Sequence, residues 1–322
     1  MILTVTLNPL LEKRLFFNNF LIDSSNRSYK EEFRSGGKGI NVSRQLNFLN
    51  INNQALTFLG GQTGKILRSI YHQEKLNYFA VSTKASTREA VLAIDENVNK
   101  ITTLFPPNPI LTETEAKEFA AKMEKMISNC SVVVFSGSSP CKETDFIFPY
   151  GIELANKYDK VSIIDTYGTS LGNCIKKGPT VLHNNIDEIS RSLNLDLQDE
   201  NSKIKLLDDL YNKGVKLVFL TDGKNDTYCS KFNFHYKIIS PKISVIDATG
   251  SGDCFVAGLA YGLEKDLVFD EFIKIAASLG VVNASSWQTC SFELKEIENV
   301  IEKIVVKTVG KKMKLIDDSP TI

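Results

Sequence analysis

The segment Thr249–Asp253, which reads Thr-Gly-Ser-Gly-Asp, places a carboxylate directly after two glycines. Apolar residues follow at helical spacing, so the segment predicts a turn that opens a helix. Glycines lack the Cβ atoms that would keep backbone N–H groups from converging on an anion at the positive end of that helix. An anion hole of Gly250, Ser251 and Gly252, with Asp253 as general base, suits phosphoryl transfer to a hydroxyl. The alternative is that the segment is only a helix cap.

A second glycine-rich segment, Gly36–Gly39, has the sequence Gly-Gly-Lys-Gly and also precedes a helical pattern. Ordering each glycine costs about 0.5–1 kcal/mol relative to alanine, so the backbone is expected to approach another group closely there. Lys38 would bring a positive charge to that point, and Asn41 a donor and an acceptor. The alternative is a flexible loop with a solvated lysine. Arg88 is by default a surface charge, but its fork-shaped guanidinium suits a phosphate.

Polar residues also stand at the ends of several predicted strands, where each could belong to an ordinary turn. Ligands gather at the carboxyl ends of strands in open parallel sheets, so the shared location of these residues indicates one site. They are Glu12, Ser136 with Ser138, Asp165, His183 to Asn185 with Glu188, and Thr221 to Gly223.

The chain that must position these residues alternates predicted strands and helices from Thr112 onward. A first buried strand is predicted at 2–7 and another at 54–59; later strands are predicted at 132–136, 161–165, 180–183 and 217–221. Helices are predicted at 112–128, 146–158, 171–176, 186–193 and 202–213. This repetition predicts an α/β fold with a mostly parallel sheet covered on both faces.

Four further strands, at 15–20, 29–34, 90–95 and 101–105, predict a small antiparallel sheet outside the main body. The interpretation is one domain over residues 1–322, with a β-sheet lid formed by about 12–35 and 87–106. Two closing helices are predicted at 269–287 and 292–307, followed by a tail at 310–322 that is expected to fray.

The overall composition excludes some functions and partners. The 38 Lys and Arg residues balance 38 Asp and Glu residues, so no global field would recruit nucleic acid or an acidic membrane. Six cysteines without a C-x-x-C pair indicate free thiols in a reducing compartment. No signal peptide and no long apolar run is evident, and a cytoplasmic protein is expected. A nicotinamide oxidoreductase is disfavoured because no G-x-G-x-x-G follows the first strand.

The two glycine-rich segments, Gly36–Asn41 and Asp247–Asp253, together resemble the paired signature of the ribokinase-like (PfkB) sugar kinases. Thr6–Pro9 and Thr87–Arg88 are similar to the branch that acts on phosphorylated ketohexoses, fructose-1-phosphate kinase and tagatose-6-phosphate kinase. The resemblance implies a three-layer α/β/α fold with a β-sheet lid that often forms a dimer interface. It also implies ATP as donor, Mg²⁺ as helper and a small phosphosugar, fructose 1-phosphate or tagatose 6-phosphate, as acceptor.

The resemblance implies a role for each candidate residue. Asp253 would be the base, with Gly250, Ser251 and Gly252 as the anion hole. Substrate-binding residues would be Glu12, Gly37, Lys38, Asn41, Arg88 and Ser138, with Lys38 and Arg88 on the sugar phosphate. Residues that bind ATP would be His183, Asn185, Glu188, Thr221, Gly223 and Asn283, and Asn185 and Glu188 would also organise Mg²⁺, through water.

Three positions differ from the family pattern. Glu12 stands where Asp is usual, His183 and Asn184 replace Lys-Pro, and Asp226 replaces Gly in the nucleotide loop. Two alternatives to the phosphosugar kinase stay open, and the second of them is prompted by these three positions. One is a kinase of an unphosphorylated sugar or a nucleoside, and the other is a sugar-phosphate sensor without catalytic activity.

Overall fold

A computed structural model describes residues 1–310 of the chain. The strands are β1 (Ile2–Thr6), β2 (Leu10–Phe17), β3 (Lys30–Gly36), β4 (Asn53–Gly60), β5 (Tyr78–Thr83), β6 (Arg88–Asp95), β7 (Lys100–Leu104), β8 (Val132–Ser136), β9 (Val161–Asp165), β10 (Val181–Asn185), β11 (Leu217–Thr221), β12 (Thr227–Lys231), β13 (Phe234–Ile239) and β14 (Val305–Val309). The helices are α1 (Lys38–Phe48), α2 (Gly61–Gln73), α3 (Glu113–Ile127), α4 (Ile147–Lys157), α5 (Thr169–Ile175), α6 (Ile186–Leu193), α7 (Glu200–Asn212), α8 (Ser251–Glu264), α9 (Phe269–Ala284) and α10 (Leu294–Ile301).

The larger sheet has ten strands in the order β14-β13-β12-β11-β10-β9-β8-β1-β4-β5. The seven strands from β11 to β5 run parallel, and β12, β13 and β14 extend one edge in antiparallel fashion. Because successive residues of a strand point to opposite faces, Val134 packs with α1 and α8, whereas Val133 packs with α3 and α4. Helices therefore cover both faces, which confirms the predicted three-layer α/β/α fold.

The smaller sheet has the strand order β3-β2-β6-β7. It is mixed rather than antiparallel as predicted, because β2 and β6 run parallel, with Leu10 beside Arg88. The reason is topological: β2 continues from β1 and β6 from β5, so both strands leave the same carboxyl edge of the larger sheet. The function of this sheet as a lid stays a prediction.

Two other predictions about the elements need correction. The closing helix expected at 292–307 ends at Ile301, and the β-branched run that follows forms β14 at the sheet edge. The expected strand at 15–20 begins five residues earlier, at Leu10, and ends at Phe17. The predicted capping box of α3 is confirmed, since Thr112 N donates to Glu115 Oε2 at 2.7 Å. Residues 311–322 of the predicted tail lie outside the described part of the chain.

Candidate active site

The turn before α8 is built on Gly250, which has a left-handed backbone with φ of 81°. A Cβ atom there would lie 2.5 Å from Thr289 Cγ2 and 3.0 Å from Cys290 Sγ, so both conformation and packing require glycine. Asn283 holds the turn from behind: its Nδ2 donates to Thr249 O at 2.8 Å and to Ser251 Oγ at 3.0 Å. The backbone of the predicted anion hole is therefore fixed before any ligand binds.

Asn283 itself is fully buried, and its Oδ1 accepts from Cys290 N at 2.9 Å. All its polar atoms are thus used to hold the turn. The structure gives it a supporting position, and its expected contact with the nucleotide stays a prediction.

Asp253 lies in the first turn of α8 and is buried, with 5% of its surface exposed. Its Oδ2 accepts a hydrogen bond from Asn41 Nδ2 at 2.7 Å. Burial raises the pKa of Asp253 to about 7, against the opposing effect of the Lys38 ammonium. The carboxyl group therefore exchanges its proton near neutral pH, as a general base must.

Lys38 begins α1 and points into a group of acidic residues. Its Nζ donates to Asp165 Oδ1 at 3.3 Å and to Glu188 Oε1 at 3.0 Å. Burial lowers the pKa of Lys38, but the charges of Asp165, Glu188 and Asp253 more than offset this and raise it above its usual value. The ammonium stays protonated and joins the ends of β9, α1 and α6, close enough to Asp253 on α8 to be affected by its charge. We call Lys38, Asp165, Glu188 and Asp253 the transfer end of the site.

Asp165 and His183 form a buried pair beneath this end. His183 Nδ1 lies 3.1 Å from Asp165 Oδ1, and its Nε2 lies 3.3 Å from Thr221 Oγ1. Burial raises the pKa of Asp165, but the opposing effects of Lys38 and His183 are larger. The pKa of Asp165 is therefore below its usual value, and its carboxylate stays ionised. A Cβ on Gly252 would lie 3.4 Å from His183 Cε1. His183 thus supports the anion hole and connects it to the carboxyl ends of β9 and β11.

Arg88 lies at the start of β6, among amides rather than acids. Its Nη1 donates to Asn108 Oδ1 at 3.2 Å and its Nη2 to Asn8 O at 3.2 Å. Asn8 Nδ2 donates to the same Asn108 oxygen at 3.0 Å and to Ser138 Oγ at 3.2 Å. Among residues 1–310 no carboxylate pairs with Arg88, and its Nε and Asn8 Oδ1 are buried without partners. We call Arg88, Asn8, Asn108 and Ser138 the acceptor end.

Two connections place the ends side by side. Gly137, which precedes Ser138, lies close enough to Lys38 that a Cβ on it would be 3.8 Å from Lys38 Cβ. Tyr167 has its ring centroid 5.1 Å from Lys38 Nζ. Burial lowers the pKa of Arg88 while the Tyr167 phenol acts in the opposite direction, so Tyr167 also faces this arginine. Lys38 and Arg88 therefore lie on the same side of the molecule.

The glycine-rich turn before α1 packs on the end of β1. Gly37 has φ of 113°, and a Cβ on it would lie 3.2 Å from Pro9 Cα. Glu12 lies behind this turn rather than open to a ligand, since Arg14 Nε donates to its Oε2 at 3.0 Å. Both side chains are buried. Glu12 is therefore balanced by a charge partner that the sequence did not indicate.

The remaining predicted nucleotide residues lie near α6 and after β11. Asn185 caps α6, where its side chain accepts from Asp187 N at 2.8 Å. Gly223 has φ of 52° in an open turn after β11. Asp226, in the same loop, is engaged by Lys237 at 3.1 Å. These residues lie beside the transfer end, on the side away from Arg88.

Sequence reasoning missed Asn108 and left Asp165 and Asn8 without an individual role. Asn8 was visible within the Thr6–Pro9 segment and Asp165 at a strand end. Asn108 lies between prolines in the loop after β7, where no periodic pattern marks it. Its contacts are with Asn8, 100 residues away in the sequence, and with Arg88, 20 residues away.

The chain is similar to several known proteins. Tagatose-6-phosphate kinase of Staphylococcus epidermidis is 28% identical over 310 residues, which cover 95% of this chain and 99% of the relative. A solved protein from Thermotoga maritima, described as a possible 1-phosphofructokinase, is 25% identical with a TM-score of 0.88, covering 96% of this chain and 99% of its own. Escherichia coli phosphofructokinase-2, solved with substrates and products, shares the fold at 22% identity with a TM-score of 0.85, over 94% of this chain and 98% of its own.

The chain also matches a protein family over most of its length. Residues 14–295, which include both glycine-rich turns, Arg88 and the whole transfer end, match the pfkB family of carbohydrate kinases. The enzymes of this family are phosphotransferases with an alcohol group as acceptor. This chain belongs to the pfkB family of carbohydrate kinases.

Proposed function

We propose that the protein transfers the γ-phosphate of ATP to a hydroxyl of a ketohexose phosphate, fructose 1-phosphate or tagatose 6-phosphate. The observation that carries this proposal is the separation of charge between two adjacent ends of one site. Arg88 is a half-buried cation without a carboxylate partner among the described residues, which suits an acceptor that is already an anion. The names of the relatives from Staphylococcus epidermidis and Thermotoga maritima support the same acceptor class.

Asp253 would take the proton of the attacking hydroxyl. Because its pKa is raised to about 7 by burial, the carboxylate is basic enough to accept a proton and is still partly ionised at neutral pH. A positioned base of this kind contributes roughly 10²–10⁴-fold to the rate. The hydroxyl would approach Asp253 Oδ1, since Oδ2 already accepts from Asn41 and Oδ1 accepts no hydrogen bond among residues 1–310.

The backbone N–H groups of Gly250 and Gly252 would face the charge that develops on the transferred phosphoryl group. Ser251 N, which was also predicted as a donor of the anion hole, instead donates to Ala248 O within the turn, at 3.1 Å. Lys38 would neutralise part of the same charge, since its ammonium lies among three carboxylates of the transfer end. This differs from the expectation that Lys38 anchors the sugar phosphate together with Arg88. We assign the sugar phosphate to the acceptor end alone.

Mg²⁺ fits the transfer end by charge. Three carboxylates, Asp165, Glu188 and Asp253, surround one ammonium, so the end carries a net charge of −2 when all are ionised. Within residues 1–310 no set of three acidic, histidine or cysteine side chains is close enough to hold a metal ion directly. Glu188 and Asn185 would therefore hold Mg²⁺ through water, and the bound ion would offset the charge of the ATP phosphates. His183, Thr221 and Gly223 would face the nucleotide.

We further propose that two copies pair through the small sheet, which exposes Phe33, Leu104 and Phe105. A related Escherichia coli enzyme has been solved as a tetramer, which supports self-association.

We also place the protein in the cytoplasm, since its six cysteines are free thiols. Within residues 1–310 no helix is long and apolar enough to cross a bilayer.

The function is tested by measuring ADP release with ATP, Mg²⁺ and a panel of acceptors. The panel contains fructose 1-phosphate, fructose 6-phosphate, tagatose 6-phosphate and the free sugars. We expect turnover with at least one ketohexose phosphate and a kcat/KM at least tenfold lower with every free sugar. Equal kcat/KM for phosphorylated and free sugars would contradict the proposal.

The two alternative functions make different predictions for Arg88→Ala. A phosphate-binding Arg88 predicts a rise in KM of about 10–100-fold, because a charge-assisted pair is lost. A kinase of an unphosphorylated acceptor predicts an unaltered KM. A sensor predicts that calorimetry detects binding of ATP and phosphosugar while no ADP is released. Arg68→Ala is the matched control, since the one side-chain hydrogen bond of Arg68 within residues 1–310 goes to Ser82 Oγ, at 3.3 Å.

A further inference from the structure

Arg44 is a buried arginine on α1, one turn after Asn41. It takes no direct part in the proposed phosphoryl transfer. Its Nη1 donates to Asn41 Oδ1 at 2.7 Å and its Nε to Glu74 Oε2 at 3.1 Å. Its Nη2 donates to Ser35 O at 2.7 Å. Every nitrogen of the guanidinium therefore has a fixed partner, and Glu74 neutralises its charge.

These contacts decide which way the Asn41 amide faces. An amide side chain has one end that accepts and one end that donates, whereas arginine can only donate. With Arg44 against it, Asn41 must turn Oδ1 toward the guanidinium and Nδ2 toward Asp253, 2.7 Å away. The opposite orientation would set an NH₂ group against a cation and an oxygen against a carboxylate.

We propose that Arg44, held by Glu74, is a positioning residue for the base Asp253 and acts through Asn41. The inference rests on the proposed function of Asp253. The hydrogen bond from Asn41 to Oδ2 fixes the orientation of the Asp253 carboxylate. Oδ1 is then the oxygen that would receive the proton of the acceptor hydroxyl. Oδ1 accepts no hydrogen bond among residues 1–310.

The same guanidinium also joins the base to the small sheet. Ser35 lies near the end of β3, and its hydroxyl accepts from Arg44 Nη2 at 2.5 Å and donates to Glu74 Oε2 at 3.0 Å. A displacement of β3 relative to α1 would therefore change the partners of Arg44. The orientation of Asp253 and the position of the small sheet therefore depend on the same contacts of Arg44.

Arg44→Lys tests the inference, because lysine keeps the positive charge but cannot reach Asn41, Ser35 and Glu74 together. We expect kcat at pH 7 to fall by about 10–100-fold. KM for the phosphosugar should change by less than about threefold, since substrate binding is not the lost interaction. Arg68→Lys on α2, which has no contact with Asn41, is the control and should leave both constants unaltered.

The pH profile separates positioning from a purely structural effect. The groups that face Asp253 are Lys38 and Asn41 on α1, Asp165 after β9, Glu188 on α6 and Cys290 in the loop after α9. None of these is altered in Arg44→Lys. Asn41 favours the ionised carboxylate, so weakening its hydrogen bond should move the acid limb of kcat/KM upward by about one pH unit. A purely structural role predicts lower activity with an unmoved limb.

A double-mutant cycle with Asn41→Ala provides the decisive comparison. If Arg44 acts through Asn41, then Arg44→Lys should cause little further loss of kcat in the Asn41→Ala background. Additive losses, together with an unmoved acid limb, would overturn the inference.

The pKa of Asp253 can also be followed without turnover, by ¹³C NMR of protein labelled at aspartate carboxyl carbons and assigned with Asp253→Asn. An identical pKa in wild type and Arg44→Lys would reject positioning even if the protein phosphorylates no sugar, so the two failures are distinguishable.

Discussion

The transfer end and the acceptor end of the site differ in how completely the protein satisfies them. At the transfer end, Lys38 contacts Asp165 and Glu188, and Asn41 donates to Asp253. At the acceptor end, the buried Arg88 Nε and Asn8 Oδ1 have no partners. The first end is held together by its own charged groups, and we propose that a bound anion completes the second.

The charges of the two ends explain this difference. We propose that a bound phosphate accepts from the Nη atoms of Arg88, which has no carboxylate partner among residues 1–310. The transfer end has the opposite balance, with three carboxylates around one ammonium. It attracts a cation such as Mg²⁺, while the acceptor end attracts an anion. We propose that this difference in charge orders the substrates along the site.

The largest effect is expected for Asp253→Asn, which removes the base and preserves the shape. We expect kcat to fall by about 10²–10⁴-fold, measured as ADP release at pH 8 with the best acceptor of the panel. Asp266→Asn, in the exposed turn after α8, is the control. A variant with wild-type kcat would show that Asp253 is not the base.

The next largest effect is expected for Lys38→Met, which leaves three carboxylates of the transfer end without their cation. The lost stabilisation of the transferred phosphoryl group should lower kcat by about 10²–10³-fold. Lys65→Met, an exposed lysine on α2, is the control. If Lys38→Met instead raised KM for the phosphosugar and left kcat unaltered, Lys38 would belong to the acceptor end.

The raised pKa of Asp253 predicts a pH dependence of both activity and stability. Below pH about 7 the base is protonated, so kcat/KM should fall about tenfold per pH unit. The ordinary pKa of Asp is about 3.9, so between about pH 4 and pH 7 the folded state binds the proton that the unfolded state has lost. The contribution of Asp253 to the free energy of unfolding therefore decreases as pH rises through this window.

Asn does not titrate, so Asp253→Asn should be more stable than wild type at pH 8 and no more stable at pH 4. We expect its Tm at pH 8 to be higher by about 2–4 °C. Calorimetric scans of both proteins at the two pH values measure this difference. A constant difference in Tm at both values would mean that the Asp253 carboxyl keeps its ordinary pKa.

The smallest effect is expected at the acceptor end, for Asn108→Ala. Arg88 and Asn8 would each lose the shared acceptor that orients them, and KM for the phosphosugar should rise about 3–10-fold with little change in kcat. Asn156→Ala, which contacts only backbone carbonyls near Gly178, is the control. A lower KM would mean that the Asn108 oxygen competes with the phosphate rather than preparing its site.

The two ends also differed in how well the sequence predicted them. Glycine-rich turns before α1 and α8 are local features, and they led to Lys38, Asn41 and Asp253 directly. The strands at 132–136, 161–165 and 217–221 were predicted with the bounds that the structure has, because buried parallel strands are short apolar runs between turns.

What the sequence did not predict depends on contacts between distant segments. Asn108 acquires its place from Asn8 and Arg88, and Arg44 from Glu74 and Ser35. The hairpin of β12 and β13 was also missed, since its turn includes Phe232 at φ of 54° rather than a glycine. No local pattern encodes such neighbours, which are set when the sheet brings the segments together.

The division of the site into two ends is tested most directly by calorimetric titration of the phosphosugar into wild type, Asp253→Asn and Arg88→Ala in parallel. We predict that Asp253→Asn binds with a Kd within about threefold of wild type, whereas Arg88→Ala binds at least about tenfold more weakly. Unaltered binding by Arg88→Ala, or equal losses in both variants, would contradict the account.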